Sequence, residues 1–404
     1  MKVIPRRNII HYRGELRDIF GTITRGELKN GPHIKQFEEQ FAKYIGTKYA
    51  IAVASGRLGL LLILESLSLN KNSGVILPAY TDESVPAMIK SLGLEPIFVD
   101  IDRDTHNINA DLIEKKINER TKVIIATHIF GRPCNLSKII EIAKRYNLIV
   151  IEDCAHAIGA EYNGKRVGSF GVAAYFSSGI TKPINTFGGG MVTTNDPTLY
   201  SRIVEKAAEL NYPNDLTIFK NIFISYLFFL LTTPLFFSVT VFPLLLFLSV
   251  FNKDLITIYN KTVKQAIKWG KMRIKYTNVQ ALVGIKQLEE IDEANKMRVR
   301  NASLLIEYLD KKTTILKDDP VAKPTYYFFV ISTHDAKSLS RKLLINGIDT
   351  GKHIMRDCAL VYENDASCVY TQEAIRASLE IPNYPQLGQE DVQYIAEVLN
   401  RVQT

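Results

Sequence analysis

The amino-acid sequence predicts an α/β protein with a large, mostly parallel sheet and a smaller α+β part toward the C-terminus. Apolar strand-like runs alternate with amphipathic helical stretches through the first half of the chain, a pattern typical of parallel sheets covered by helices on both faces. From about Asn278 this alternation gives way to one long helical stretch at 279–309. With 404 residues, 46% of them apolar, the chain is long enough to form more than one hydrophobic core.

Each predicted strand is a short apolar run, and each predicted helix has apolar residues three and four positions apart. We expect strands at 75–78, 96–100, 123–127, 148–152 and 173–176. We expect helices at 33–44, 58–67, 83–92, 110–117 and 136–146. In the C-terminal part we expect a strand at 326–331 and a final helix at 390–401. The predicted domain organisation is a large α/β domain at 1–210, an insertion at 211–276, and a long helix with a small α+β domain at 277–404.

Composition argues against several classes of protein. The four cysteines show no CxxC or metal-ligand spacing, so we expect no metal site and free thiols in a reducing compartment. The net charge is +8, but no nucleic-acid-binding motif accompanies it, so we expect no nucleic-acid partner. The first fifteen residues contain no uninterrupted apolar run, and we therefore expect no signal peptide.

Two residues at predicted strand ends suggest the chemistry. The apolar run 148–151 ends just before Asp153, and Lys182 follows the predicted strand 173–176. Ligands of parallel sheets bind at the carboxyl ends of the strands. A buried carboxylate and a lysine there suit pyridoxal 5′-phosphate (PLP), since the lysine forms a Schiff base and the carboxylate keeps the pyridine nitrogen protonated. Burial would also lower the lysine pKa toward the reactive neutral amine. The alternatives are a surface lysine and a helix N-cap.

An anion site is predicted at Ser55-Gly56-Arg57, which follows an apolar run and opens a helix. Free backbone N–H groups and the helix dipole favour a phosphate at such a position. The alternative interpretation is an ordinary helix N-terminal turn.

Several further motifs, in this order and spacing, resemble the DegT/DnrJ/EryC1/StrS family of sugar aminotransferases. The resemblance runs from about Gly31 to Ala208 and resumes at about Thr277. The matching segments are 31–32, 54–57, 75–81, 96–102, 128–131, 152–156 and 188–192. The resemblance implies the type I fold of PLP-dependent aminotransferases, a homodimer with its site at the subunit interface, and a role in polysaccharide biosynthesis.

The resemblance also implies roles for individual residues. Lys182 would carry the cofactor and move protons, and Asp153 would pair with the pyridine nitrogen. His156 would contact the cofactor ring or its O3′ atom, with a packing histidine as the alternative. The cofactor phosphate would be bound by the backbone of Gly56 and Arg57, beside Ser55, and by the Ser177 hydroxyl. His128, at another strand end, would be part of the site architecture or a packing residue. His353 and the segment 378–382 resemble the family's ending, where the acceptor is partly recognised.

Three positions depart from the family pattern. Asp82 stands where an aromatic residue often stacks on the cofactor, 273–275 replaces an Asn-x-Arg element that reaches across the dimer, and 179–180 replaces Tyr-Pro. The lysine is retained, whereas the family's dehydratase branch has histidine there, so transamination is favoured.

An apolar stretch at 222–251 has thirty residues without a formal charge, which is long enough to enter a bilayer. Since the soluble fold resumes after it, the stretch must enter and leave on one side. We expect a re-entrant hairpin with breaks at Pro234 and Pro243 and limbs of about 10 residues, or two helices lying in the interface. A basic face at 261–275 with Trp269 would contact anionic headgroups. The alternatives are a buried core or dimer element and a solvated lysine face.

The sequence therefore predicts an aminotransferase at the cytoplasmic side of a membrane. It would transfer an amino group, with glutamate as the expected donor, to a keto-sugar that is nucleotide-linked or lipid-linked. The alternatives are an inactive membrane-bound scaffold or regulatory protein on the same fold, and another PLP reaction such as dehydration or epimerisation.

Overall fold

A computed structural model describes residues 2–250, 273–352 and 355–403. Its strands are β1 (Tyr49–Val53), β2 (Gly74–Pro78), β3 (Tyr80–Thr81), β4 (Glu95–Val99), β5 (Thr121–Thr127), β6 (Ile149–Asp153), β7 (Glu161–Tyr162), β8 (Lys165–Arg166), β9 (Ala173–Ser177), β10 (Gly190–Thr194), β11 (Thr314–Ile315), β12 (Ala322–Lys323), β13 (Phe329–Ser332), β14 (Arg356–Asp357) and β15 (Ser378–Ile381). Its α-helices are α1 (Glu15–Thr24), α2 (His33–Ile45), α3 (Gly56–Ser66), α4 (Ser84–Ser91), α5 (Ala110–Ile113), α6 (Leu136–Arg145), α7 (Pro197–Ala208), α8 (Asp215–Thr232), α9 (Pro234–Phe236), α10 (Phe242–Val250), α11 (Asn278–Tyr308), α12 (Ala336–Ile345), α13 (Cys358–Glu363), α14 (Val369–Ala377) and α15 (Gln389–Val402).

The central sheet has seven strands in the order β1-β10-β9-β6-β5-β2-β4. The pairs from β9 through β6, β5 and β2 to β4 are parallel, whereas β10 runs antiparallel to both of its neighbours. The five strands expected in this half are confirmed to within about two residues at each end. The sequence reasoning missed β1 and β10. These two strands form one edge of the sheet, and β10 follows the loop that contains Lys182.

The small C-terminal sheet has the order β11-β13-β15 and is antiparallel. The long helix α11 joins its core to that of the large domain: Leu288 packs with Phe37 and Phe41, and Leu305 packs with Phe329. The strand expected at 326–331 was placed too early, since β13 begins at Phe329. Tyr326 has a φ of +47°, a left-handed conformation that interrupts an extended strand.

The apolar insertion forms longer helices than the sequence reasoning expected. Helix α8 has 18 residues, a length of about 27 Å at 1.5 Å per residue. The chain breaks at Thr233, whose backbone is extended, and resumes helically at Pro234. The helix continues through Pro243. The preceding turn, Phe237–Val241, is π-helical, so its backbone hydrogen bonds run between residues five apart. The α-helical hydrogen bond that a proline would interrupt is therefore already replaced there.

The insertion packs one face of each helix against the protein. Ile218 and Ile222 of α8 contact the core formed with Phe187 and Val279, and residues of α10 pack against Leu344 of α12. Helix α8 is long and apolar enough to span a membrane by composition alone, and 17% of it is buried. The basic residues expected at 261–271, Trp269 and His353 lie outside the described residues, so the expectations for them stay untested.

Candidate active site

The loop 178–189, called here the lysine loop, connects the antiparallel neighbours β9 and β10. The Ser178 N–H donates to the Gly189 carbonyl across 2.8 Å and closes the loop at its base. Within the loop, the Lys182 N–H donates to the Gly179 carbonyl across 2.9 Å. Lys182 therefore lies at the carboxyl end of β9, as the sequence predicts.

Asp153 ends the neighbouring parallel strand β6 and is in register with Tyr175 of β9. Its carboxylate is buried and accepts the Ala155 N–H across 3.0 Å. Burial raises the pKa of Asp153 above its usual value. Burial also lowers the pKa of Lys182 to about 8, while the negative charge of Asp153 acts in the opposite direction. The lysine is therefore poised to lose its proton near neutral pH.

The predicted anion site lies at the N-terminus of α3. The Ser55 side chain caps this helix by accepting the Leu58 N–H across 3.1 Å. The N–H groups of Gly56 and Arg57 belong to the first turn, where no carbonyl within the helix is available to them. A Cβ on Gly56 would come within 3.2 Å of Ser177 Cβ, so Ser177 lies directly against this turn. These four residues lie together at the start of α3, where the sequence predicts an anion site, and are called the α3 cradle here.

Glycines bring the cradle and the lysine together. A Cβ on Gly190 would lie 2.7 Å from the backbone nitrogen of Gly56, so only a glycine lets β10 approach α3 so closely. A Cβ on Gly179 would lie 3.8 Å from Lys182 Cγ and 3.9 Å from Ser177 Oγ. The lysine and the serine therefore face the same small space.

His156 lies in an aromatic cluster from the C-terminal part of the chain. Its ring centre is 5.1 Å from the rings of both Tyr327 and Phe328, and Lys182 Nζ lies 5.6 Å from the Tyr327 ring centre. Burial and the nearby lysine hold the pKa of His156 well below its usual value, so the ring is neutral at pH 7. Sequence reasoning missed Tyr327 and Phe328, whose only signal was an adjacent aromatic pair.

A cleft opens beside the lysine. It is lined by residues 6–10, by Ile180, Thr181, Pro183 and Asn185 of the lysine loop, by Gln287 and Arg298 of α11, and by Tyr327, Phe328, Glu380, Asn383 and Tyr384. Two arginines at its N-terminal wall are neutralised: Arg6 pairs with Asp349 at 2.6 Å, and Arg7 pairs with Glu380 at 2.8 Å. The sequence reasoning did not anticipate this N-terminal wall.

His128 and Glu152 hold the sheet together beneath the site. His128 Nε2 lies 3.2 Å from Glu152 Oε2, and the Cys134 N–H donates to His128 Nδ1. The Glu152 carboxylate also accepts the backbone N–H groups of Gly168, Phe170 and Gly171. The ligand atoms of His128, Glu152 and Cys154 lie within 4.8 Å of one another, close enough to hold a metal ion. The Glu152 carboxylate, however, already has three backbone N–H groups and the His128 ring as partners. We therefore regard the cluster as a buried hydrogen-bond network.

Two positions that depart from the family pattern have local partners. Asp82 is exposed and accepts the Ser84 N–H across 2.9 Å, so it supports the start of α4. Arg273 Nη1 donates to Glu65 Oε1 across 2.7 Å within the same chain. At the third, an added Cβ on Gly179 would make only ordinary contacts with Lys182 and Ser177.

These residues fit PLP. The cradle at α3 has the backbone donors that a phosphate needs, the buried carboxylate of Asp153 lacks a cationic partner at hydrogen-bond distance among the described residues, and Lys182 supplies an amine that is readily deprotonated. The fold and the site together define a PLP-dependent enzyme.

Comparison with known proteins identifies the family. Residues 13–210 and 258–400 match the DegT/DnrJ/EryC1/StrS aminotransferase family, and the chain belongs to it. Its cofactor is therefore PLP. The segment 211–257, which contains α8, α9 and α10, lies outside the match.

Among curated proteins, the chain is 28% identical to GDP-perosamine synthase of Escherichia coli O157:H7 over 92% of this chain and 90% of that protein. It is 45% identical to dTDP-3-amino-3,6-dideoxy-alpha-D-galactopyranose transaminase of Aneurinibacillus thermoaerophilus over 43% of this chain and 48% of the other. It is 43% identical to protein MJ1066 of Methanocaldococcus jannaschii over 47% of this chain and 49% of the other. The chain thus spans about half the length of the latter two relatives.

Solved structures confirm the type I aminotransferase fold. An aminotransferase from Psychrobacter cryohalolentis superimposes with a TM-score of 0.78 at 21% identity, over 97% of both chains. PseC of Helicobacter pylori superimposes with a TM-score of 0.77 at 21% identity, over 99% of both chains.

Proposed function

We propose that this protein transfers the amino group of an amino acid, with glutamate as the expected donor, to the ketone of a nucleotide-linked sugar. In the balanced reaction the amino acid becomes a 2-oxo acid and the ketone becomes an amine, so no external oxidant or reductant is needed. The observation that carries the proposal is the placement of Lys182, with its lowered pKa, beside the buried Asp153 in a chain of this family.

Each residue of the site has a proposed task. When bound, PLP supplies an aldehyde for the amine and a ring that withdraws electrons. The neutral amine of Lys182 would hold the cofactor and, when free, would move the proton that accompanies transfer of the nitrogen. Asp153 would accept a hydrogen bond from the pyridine N–H and favour its protonated form. The α3 cradle would hold the phosphate, and the neutral His156 would lie beside the ring.

The acceptor is proposed from the relatives and the cleft. The names of two relatives refer to GDP-linked and dTDP-linked sugars, and the cleft beside Lys182 is the space in which such an acceptor would meet the amine. A sugar on a lipid carrier has the same diphosphate chemistry and is the other acceptor to be tested.

The test incubates the purified protein with L-glutamate and a nucleotide-linked keto-sugar and measures 2-oxoglutarate and the aminated sugar by mass spectrometry. We expect equal amounts of both products, loss of both in Lys182→Ala, and full activity in Lys165→Ala, a matched change at an exposed lysine. A sugar product without the new nitrogen would indicate dehydration or epimerisation instead. A purified protein that contains no PLP and converts neither glutamate nor the sugar would support the alternative hypothesis of an inactive scaffold.

We also propose that the insertion holds the enzyme on the cytoplasmic face of a membrane as two helices lying in the interface. Five exposed residues form a stripe along α8 at spacings of three and four: Leu216, Phe219, Phe223, Leu227 and Leu230. Since the opposite faces of α8 and α10 pack against the protein, both helices lie along its surface. This arrangement favours the interfacial helices over the re-entrant hairpin.

The hydroxyl groups of the insertion support a lipid environment. Five of them donate to backbone carbonyls three or four residues earlier, at 2.5–2.8 Å: Thr232, Thr233, Ser238, Thr240 and Ser249. Polar groups satisfied within their own helix do not need water, so they are tolerated in the apolar layer of a bilayer. A second copy of the chain is the other candidate to cover this face, and the family resemblance predicts a homodimer.

A flotation experiment separates these partners. We expect the wild-type protein to float with vesicles of phosphatidylglycerol and phosphatidylethanolamine, and the double variant Phe223→Glu/Leu227→Glu to stay in the soluble fraction. Val361→Glu, at a residue with comparable exposure on α13, is the matched control and should float. If the wild-type protein does not float with vesicles and is a dimer, whereas the double variant is a monomer, the stripe is a subunit interface and the membrane proposal is wrong.

A further inference from the structure

One arginine of the cleft is buried with no carboxylate partner among the residues that the structure describes. Arg298 of α11 is 5% exposed and lines the cleft beside Lys182. Among the described residues, its one recorded hydrogen bond runs from Nη1 to Asn295 Oδ1 across 2.8 Å. Arg6 and Arg7 in the same cleft are both paired with acidic side chains. Arg298 is therefore the cleft arginine whose charge is left for a ligand to neutralise.

The energetic situation of Arg298 favours an anion. Removing a guanidinium from water is costly unless an opposite charge compensates it. Burial lowers the pKa of Arg298 to about 10, so the side chain is still charged at neutral pH. An anionic ligand that enters the cleft would pair with the guanidinium of Arg298. This charge pair is stronger than one at the surface, because the site is shielded from water.

Arg298 lines the same cleft as the reacting lysine. Arg298 and Tyr327 line the same cleft, and the charge of each shifts the pKa of the other. The Tyr327 hydroxyl donates to the Thr181 carbonyl across 2.6 Å, and its ring centre lies 5.6 Å from Lys182 Nζ. Tyr327, Arg298 and Lys182 therefore all line one cleft. The side-chain oxygens of Asn8 and Asn383, which line the same cleft, are buried acceptors without a donor among the described residues.

We propose that Arg298 binds the carboxylate of the amino donor. This inference rests on the proposed aminotransferase function. A carboxylate fits better than a diphosphate, because it is bonded to the carbon that carries the transferred nitrogen, whereas a sugar ring separates the diphosphate from the ketone. The unpaired oxygens of Asn8 and Asn383 add acceptors for the donor's ammonium group or for sugar hydroxyls.

The test measures ligand binding to the holoenzyme. Because bound L-glutamate reacts, its apparent Kd is determined from how the rate of the cofactor absorbance change depends on glutamate concentration, and the Kd values for GDP and dTDP are determined by calorimetry. We expect Arg298→Gln to weaken glutamate binding about 100-fold, as loss of one partner of a buried charge pair does, and Arg298→Lys to weaken it less. Nucleotide binding should change less than twofold. Arg300→Gln is the matched control, since Arg300 donates to Asn301 and to the Leu387 carbonyl instead of facing the cleft.

Unchanged glutamate binding in Arg298→Gln, or a loss confined to GDP and dTDP, would overturn this assignment while leaving the aminotransferase function intact. A wild-type holoenzyme that binds no amino acid would overturn both.

A stability measurement separates ligand binding from a structural role. Arg298→Met keeps an unbranched side chain and removes the unpaired charge, so we expect the melting temperature of the substrate-free enzyme to stay the same or rise. The increase in melting temperature that saturating glutamate causes in the wild type should disappear. A substrate-free enzyme that melts several degrees lower, with the glutamate-induced increase retained, would show that Arg298 is structural and contradict the proposal.

Discussion

The protonation of Lys182 in the cofactor-free protein gives a quantitative prediction. Its pKa is lowered from 10.5 to about 8, chiefly by burial. At pH 8 about half of the Lys182 side chains would be neutral, compared with about 0.3% for a lysine with a pKa of 10.5, a difference of about 150-fold. Because Asp153 raises the pKa of Lys182, Asp153→Asn should move the midpoint below 8.

Pulsed acetylation at several pH values, followed by peptide mass spectrometry, measures this midpoint residue by residue. Only the neutral amine reacts, so the labelling rate of Lys182 should rise to a plateau through about pH 8. Exposed Lys165 in the same digest serves as the internal control and should continue to gain reactivity up to pH 10. A Lys182 midpoint near 10.5, or a midpoint that rises in Asp153→Asn, would refute the electrostatic reasoning.

Further predictions concern the residues that support the site. Gly190→Ala places a methyl group 2.7 Å from the Gly56 nitrogen, so we expect the purified variant to carry little PLP, measured as cofactor per chain; wild-type loading would contradict the cradle. Glu152→Gln leaves a buried N–H without an acceptor and should lower the free energy of unfolding by about 1–3 kcal/mol in urea titrations; an unchanged midpoint would contradict the proposed network. Asn185 joins the lysine loop to Ser225 of α8 across 2.8 Å, so Asn185→Ala should accelerate hydrogen exchange in the loop 178–189, and an unchanged exchange rate would show that this contact does not hold it.

The sequence predicted the features that depend on local pattern. The parallel strands were evident because each is a short apolar run bounded by polar residues, and Asp153 and Lys182 were found because each follows such a run. The turn at Ser55-Gly56-Arg57 was located because it follows an apolar run and opens a helix, whereas Ser177 was assigned from the family resemblance; their role in binding an anion stays a prediction.

Features that depend on distant parts of the chain were missed. Tyr327, Phe328 and Arg298 line the same cleft as the lysine because α11 and the small domain pack against the large domain, and apart from the aromatic pair their local sequence does not indicate it. The continuation of the helix through Pro243 was missed because a π-helical turn is a backbone adjustment without a residue pattern of its own. The N-terminal wall at Arg6 and Arg7 depends on ion pairs with Asp349 and Glu380 at the other end of the chain.

The most direct test of the account is to locate the covalent link between the protein and PLP. The holoenzyme is reduced with borohydride, digested, and analysed by peptide mass spectrometry. We predict a single modified peptide with the reduced cofactor on Lys182, and none in Lys182→Ala. Cofactor attached to another lysine, or no attachment to any lysine, would contradict the central claim that this amine is the reactive group of the site.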